Sequence, residues 1–236
     1  RCEICEVGVG VDDEAGVAEC TLWSVSEQKL YWVDISGRTI NRFDPASGEN
    51  ASWAMPCEPG CIALAAGGGL VAALRDGFYR FFPADGTLKK IADAPYDTSH
   101  MRFNDGRCDA AGRFWAGAMF EPRTAELAGV VCLERGKVRQ GWGPQQNLGV
   151  KVSNGMAFTA DGGHVFQSDT PNHVIYQFVF DVENGKVGAR REFARRPDNR
   201  PAENYGGRPD GAAIDSAGSY WSAQYEGRCV LRYSMQ

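Results

Sequence analysis

The chain has 236 residues, a formal net charge of −5, 43% apolar residues and 29 glycines. An acidic chain offers no field for a phosphate backbone or an anionic lipid surface, so nucleic-acid and membrane-surface partners are not expected. With no apolar run near the ~20 residues of a membrane span and no visible signal peptide, the expected location is the cytoplasm.

The predicted elements are short strands throughout. The first repeat reads 22–24, 30–35 and 39–44, closed by the turn Pro45-Ala46-Ser47-Gly48. The second runs through 61–65, the turn Gly67-Gly68-Gly69, 70–74 and 78–82. The third gives 107–109, 114–118 and 129–133; the fourth 156–158, 164–168 and 175–181; the fifth 212–214, 220–223 and 230–233. Apolar residues alternate with period two and Gly- or Pro-bearing turns fall at hairpin spacing, while nothing requires a long helix.

Leu30, Leu70, Phe114, Val165 and Tyr220 are equivalent points in these repeats, giving repeat lengths of 40, 44, 51 and 55 residues. A repeat of that length built of short strands is the signature of a β-propeller. The fold class is therefore all-β, with residues 1–236 as one propeller domain. In four repeats a polar residue precedes the anchor by 10 or 11 positions: Glu19, Asn104, Asn154 and Asp210. Equivalent positions in successive blades face the central axis, where such a set makes a poor core and a good cation site. Asn-Gly and Asp-Gly are also good turn formers, which is the plainer reading of each position alone.

Eight cysteines include one Cys2/Cys5 CxxC pair without a second pair at zinc-finger spacing, and reduced structural thiols are expected. His100, His164 and His173 have no metal-binding spacing and read as exposed turn residues. The stretch 195–208 reads as a lid over the channel mouth or as a plain long loop.

The loops ahead of the later repeats carry Arg-Phe-Asn-Asp-Gly at 102–106, Ser-Asn-Gly at 153–155 and Pro-Asp-Gly at 209–211. With Tyr-Trp-Val-Asp-Ile at 31–35 and Phe-Trp-Ala-Gly-Ala-Met at 114–119, the chain resembles the SMP30/gluconolactonase (regucalcin-like) family of metal-dependent sugar lactonases. The resemblance implies a six-bladed propeller, here truncated within blade five, with unpaired strand edges and a tendency to aggregate. It implies that Glu19, Asn154 and Asp210 are the ligands of one divalent ion, with Ca²⁺, Zn²⁺, Mn²⁺ and Mg²⁺ all open. Arg102 and Asn104 then hold substrate, with Glu121 as a further contact. The family pattern of Gly-Glu, a small residue and Pro becomes Ala18-Glu19-Cys20-Thr21 here.

The implied reaction is hydrolysis of an aldonolactone to the open-chain aldonic acid. The ion polarises the carbonyl, and Asp210 is the candidate base for the attacking water. A related propeller hydrolase of aryl esters or organophosphates and a non-catalytic calcium-binding propeller are the alternatives. Asp105 reads as a turn residue, Asp169 as a turn or a support for the ion site, and Arg102 alternatively as a surface ion pair.

Overall fold

The computed structural model describes residues 2–4, 16, 18–200 and 205–235. Its first strand, β1 (Cys2–Ile4), stands apart from its sequence neighbours. Blade one is β2 (Ala18–Ser24), β3 (Lys29–Asp34), β4 (Thr39–Asp44) and β5 (Glu49–Ala54). Blade two is β6 (Pro59–Leu64), β7 (Leu70–Leu74), β8 (Gly77–Phe82) and β9 (Thr87–Asp93). Blade three is β10 (Met101–Cys108), β11 (Phe114–Phe120), β12 (Val130–Glu134) and β13 (Lys137–Gln140). Blade four is β14 (Ser153–Phe158), β15 (His164–Asp169), β16 (Val174–Asp181) and β17 (Lys186–Arg195). Blade five joins β18 (Arg208–Ile214), β19 (Tyr220–Tyr225) and β20 (Cys229–Tyr233) to β1, in the order β1-β20-β19-β18. Blades one to four are antiparallel meanders and blade five is an antiparallel sheet completed by β1, so the described residues form an all-β propeller of five blades. The open edge expected on the fifth repeat is covered: Cys2, Glu3 and Ile4 pair with Tyr233, Arg232 and Leu231. No helix among the described residues is long and apolar enough to cross a membrane.

The core is a series of layers between neighbouring blades. Tyr31, Val33 and Ile40 of blade one pack on Ile62, Leu70 and Ala72 of blade two. Phe78 meets Phe103 and Phe114 between blades two and three, with ring centroids at 4.8 and 6.1 Å. Trp115 and Trp142 close the third layer with Phe178 and Phe180, and Phe166 meets Tyr220 in the fourth. A strand packed on both faces has no need of strict alternation, which is why β7 reads Leu-Val-Ala-Ala-Leu.

Two turns share a device that fixes hairpin geometry. Asp109 accepts the N–H groups of Ala111 and Arg113 at 2.9 and 3.0 Å, and its other oxygen takes the Trp115 indole N–H at 2.8 Å. Asp215 does the same with Ala217, Ser219 and Trp221 at 2.9, 2.8 and 2.7 Å. The spacing Asp-x-x-Gly-x-x-Trp is therefore a blade signature in repeats three and five.

The first strands β2, β6, β10, β14 and β18 neighbour one another around the axis, and each carries one extra residue relative to its partner. The register slips at Glu19/Leu22, Pro59/Cys61, Phe103/Gly106, Asn154/Ala157 and Pro209/Ala212. These are β-bulges at the positions of the polar repeat residues. The segments around Asn104, Asn154 and Asp210 are thus inner strands rather than loops. Blade two has Gly60 in this place. A Cβ there would stand 2.4 Å from the Phe103 carbonyl carbon and oxygen, so backbone contact forbids a side chain. Gly60→Ala is expected to cost about 1–3 kcal/mol of stability, read as a lowered denaturant midpoint; a midpoint equal to the parent's would show that blades two and three separate freely.

The six cysteines whose side chains are described are free thiols. The Cys2 side chain and all of Cys5 lie outside the described residues. Of the histidines, His100 is exposed and His164 half-buried, but His173 is buried at 3% exposure. It occupies the left-handed position after a 3-10 turn, φ 57°, with its ring 6.1 Å from that of Tyr205. A turn residue that also packs under a neighbouring segment looks, from sequence, like any exposed one.

Candidate active site

The bulges bring residues from different blades into one cavity of about 170 Å³, a space on the scale of a sugar ring. Glu19, Arg102, Asn104, Asn154 and Asp210 all line it. Glu121 does not; its carboxylate is held by Arg75 at 2.7 and 3.0 Å and reaches only the edge of Arg102, at 3.9 Å. Arg75 also pairs with Glu58 at 2.9 Å and donates to the Thr98 carbonyl at 3.0 Å, so Glu121 belongs to a brace between blade two and the start of β10. Those hydrogen bonds from Arg75 hold Glu121 below the usual carboxylate range.

Each inner-strand residue is oriented by a neighbouring blade. The Asn154 side-chain NH₂ donates to Asp210 Oδ1 and, at 3.3 Å, to Thr170 Oγ1, while its carbonyl oxygen accepts the Gly155 N–H at 3.1 Å. Thr170 in turn donates to the Pro209 carbonyl at 2.8 Å, tying blade four to the residue before Asp210. Gly155 has φ 56°, and a Cβ on it would meet the Tyr220 hydroxyl at 2.5 Å. The Asn-Gly pair is thus required twice, for the backbone turn and for the close approach of blade five. Asn104 donates to the Ser153 carbonyl at 3.1 Å and accepts from Arg102 at 3.0 Å.

Cys20 fills the equivalent bulge position in blade one, with φ 52°. Its sulfur accepts the Ile62 N–H at 3.3 Å and faces the Ile62 carbonyl at 3.5 Å. Burial pushes its thiol up to about 12, so it acts as a fixed neutral peg between blades one and two. The departure Glu19-Cys20-Thr21 from the family pattern thus has a structural anchor of its own.

Two further acids support the site. Asp105 is buried and bonds the Gly106 and Met156 N–H groups, both at 2.8 Å, joining the bulges of blades three and four. Asp169 accepts from the Lys151 and Val152 backbone at 3.2 Å and from Asn172 at 2.8 Å, fixing the approach to β14; burial raises it to about 6. Across the axis, the Arg107 guanidinium of blade three donates to the Ala212 carbonyl of blade five at 2.6 Å.

The electrostatics are dominated by Glu19 and Asp210. Burial lifts both well above the usual carboxylate range; the nearby Asp210 and Asp105 charges lift Glu19 further, and Asp105 lifts Asp210. Arg102 is also desolvated, and burial lowers its affinity for its proton. Among the described residues no three His, Cys, Asp or Glu side chains are grouped to hold an ion; the expected triad counts an amide among its members.

Sequence reasoning missed Thr170, Arg123, Arg208 and Tyr225, which also line the cavity. Arg208 had a usable signal, since it precedes Asp210 by two residues as Arg102 precedes Asn104. The stretch 195–208 therefore contributes Arg208 as the first residue of β18, while 201–204 lie outside the described residues.

Inner-strand bulges that converge on one polar cavity define a propeller with an axial site. The family model for the SMP-30/Gluconolactonase/LRE-like region matches residues 17–236, and the chain belongs to that family. It is 45% identical over 225 residues to the 6-deoxy-6-sulfogluconolactonase of Pseudomonas putida, covering 92% of this chain and 72% of that protein. It is 33% identical over 229 residues to a pentonolactonase of Haloferax volcanii, covering 94% and 72%. The solved structure of a calcium-binding protein, regucalcin, from Agrobacterium tumefaciens superposes with a TM-score of 0.79 at 22% identity, covering 92% of this chain and 74% of that one.

Proposed function

We propose that this cavity hydrolyses the ester bond of a sugar lactone, giving the open-chain aldonic acid. The observation that carries the reading is the convergence of Glu19, Asn154 and Asp210, from blades one, four and five, on a cavity that also holds Arg102 and Asn104. The names of the lactonase relatives support the same reaction class. The reading takes the five blades as part of a six-bladed ring, in keeping with relatives longer than this chain.

The donor set fits a divalent cation. Two buried carboxylates stand in each other's field, and their raised proton affinity marks a site short of positive charge. Their oxygens and the Asn154 amide suit a hard ion. Glu19, Asn154 and Asp210 would hold it, and when bound it supplies positive charge to polarise the lactone carbonyl and stabilise the developing oxyanion. The oxygen donor set leaves Ca²⁺, Mg²⁺, Mn²⁺ and Zn²⁺ as the candidates.

The chain's own residues supply positioning and proton transfer. Arg102 and Asn104, already bonded to each other, present a guanidinium and an amide to the ring hydroxyls. Asp210, ionised, accepts a proton from the attacking water as its oxygen bonds to the carbonyl carbon. Collapse of the adduct breaks the ring ester bond, the ring oxygen leaves with the proton that Asp210 returns, and the product is the hydroxy acid.

The test is proton release across a panel of aldonolactones, before and after stripping with EDTA and after return of Ca²⁺, Mg²⁺, Mn²⁺ or Zn²⁺. Turnover of at least one lactone, lost on stripping and regained with an ion, is expected. Unchanged turnover after complete stripping refutes the cation's role, and inertness towards every lactone refutes the activity.

A further inference from the structure

Above the layer of Asn104, Asn154 and Asp210, the inner strands carry a second layer. Side chains two residues apart on a strand share a face, so Arg102 lies one pleat from Asn104 and Arg208 one pleat from Asp210. Their cross-strand partners are Met119 and Tyr225, and both partners line the same cavity. Arg123, in the turn after β11, also borders it. Three guanidiniums thus face a cavity whose carboxylates are two.

These arginines are not equally engaged. Arg102 is shared between Asn104 and Glu121. Arg208 stacks over Tyr225 at 5.0 Å and pairs through its outer nitrogen with Glu226 at 2.9 Å, while its Nε is buried without an acceptor. Arg123 is exposed and has no carboxylate partner among the described residues. A buried guanidinium N–H without an acceptor is costly, and a neutral polyol repays it poorly. A sulfonate, phosphate or carboxylate supplies charged oxygens in the geometry that arginine binds best.

We propose that Arg208 and Arg123 form a subsite for a strong anion at the far end of the substrate, so that the preferred lactone is an acidic sugar lactone. This rests on the lactonase reading of the same cavity and names its substrate class. Glu226 holds the outer edge of Arg208 and Tyr225 its face, which leaves the buried Nε edge as the part of the guanidinium without a protein partner. The carboxylates deeper in the blades repel an anion and favour entry with the lactone ring first.

The experiment compares kcat/KM for gluconolactone with that for its terminally sulfonated, phosphorylated and carboxylated analogues. The charged-to-neutral ratio should exceed one by about tenfold or more in the parent, and fall towards one in Arg208→Gln and in Arg123→Gln, with the double variant lowest. The analogue with the highest ratio identifies the anion. Rising ionic strength should raise KM for the charged lactones more than for gluconolactone. Arg123 is an exposed turn residue, so its variant reports on the subsite even if Arg208→Gln misfolds. A ratio near one in the parent, or one unchanged in both variants, overturns the proposal. If no lactone is hydrolysed, calorimetric titration with gluconate and its terminally sulfonated analogue decides the matter separately. Tighter binding of the sulfonate, weakened in Arg123→Gln, upholds the subsite, and equal binding overturns it.

Discussion

Asp210→Asn should lower kcat for lactone hydrolysis by about 10²–10⁴-fold, the range for losing a positioned acid–base group, while leaving the propeller folded. The substitution keeps the shape and an acceptor for Asn154, whose NH₂ faces Asp210 Oδ1. It removes the charge that, in the proposed mechanism, takes the proton from water, and one of the two carboxylates proposed to hold an ion. It also relieves Glu19, whose ionisation the Asp210 charge opposes. The variant should therefore melt higher than the parent in EDTA and gain less from added Ca²⁺. Activity within tenfold of the parent would remove Asp210 from the mechanism, whatever the melting data show.

Stability in EDTA should fall as the pH rises from about 4 through neutrality, and a divalent ion should raise the melting temperature more at pH 8 than at pH 5. Glu19 and Asp210 bind protons more tightly folded than unfolded, because burial and like charge penalise their ionised forms. The folded state therefore keeps protons that the unfolded chain has released, so stability declines as the pH rises through that window. Asp169, raised to about 6 by burial, acts with the same sign. Carboxylates held low, such as Glu58 and Glu121 beside Arg75, have the opposite sign and lose their contribution below about pH 4, so the two effects separate. Each kcal/mol should appear as about 2–4 °C for a chain of this size. A melting temperature in EDTA that climbs between pH 5 and 8, or a cation effect independent of pH, contradicts the assignment of these carboxylates to an ion site.

The repeat was legible because the second strands of blades one to four are packed on both faces, that of blade five alternates strictly, and all are bounded by tight turns. The anchors Leu30, Leu70, Phe114, Val165 and Tyr220 all fall in β3, β7, β11, β15 and β19. The outer strands β5, β9, β13 and β17 were not legible, since their exposed, charged faces carry little apolar alternation, as in Lys-Val-Gly-Ala-Arg-Arg-Glu-Phe-Ala-Arg. The pairing of β1 with β20 joins positions far apart in the chain and leaves no local trace. Glu19, Asn104, Asn154 and Asp210 were found by their offset from the anchors, although their segments were read as loops: a bulge breaks the period-two pattern where the polar residue sits. Glu121 fell in register with a family motif, but Arg75, in another blade, determines what it touches.

The extra residue in every inner strand separates two kinds of selection. Residues after the slip resume the register that fills the layers between blades, whereas those at the slip are presented to the axis. Blades one, four and five carry Glu, Asn and Asp in corresponding places without a shift in the packing behind them, whereas backbone contact holds blade two to Gly60. Such a scaffold can acquire a new specificity one blade at a time, with its architecture largely indifferent to what the rim has become.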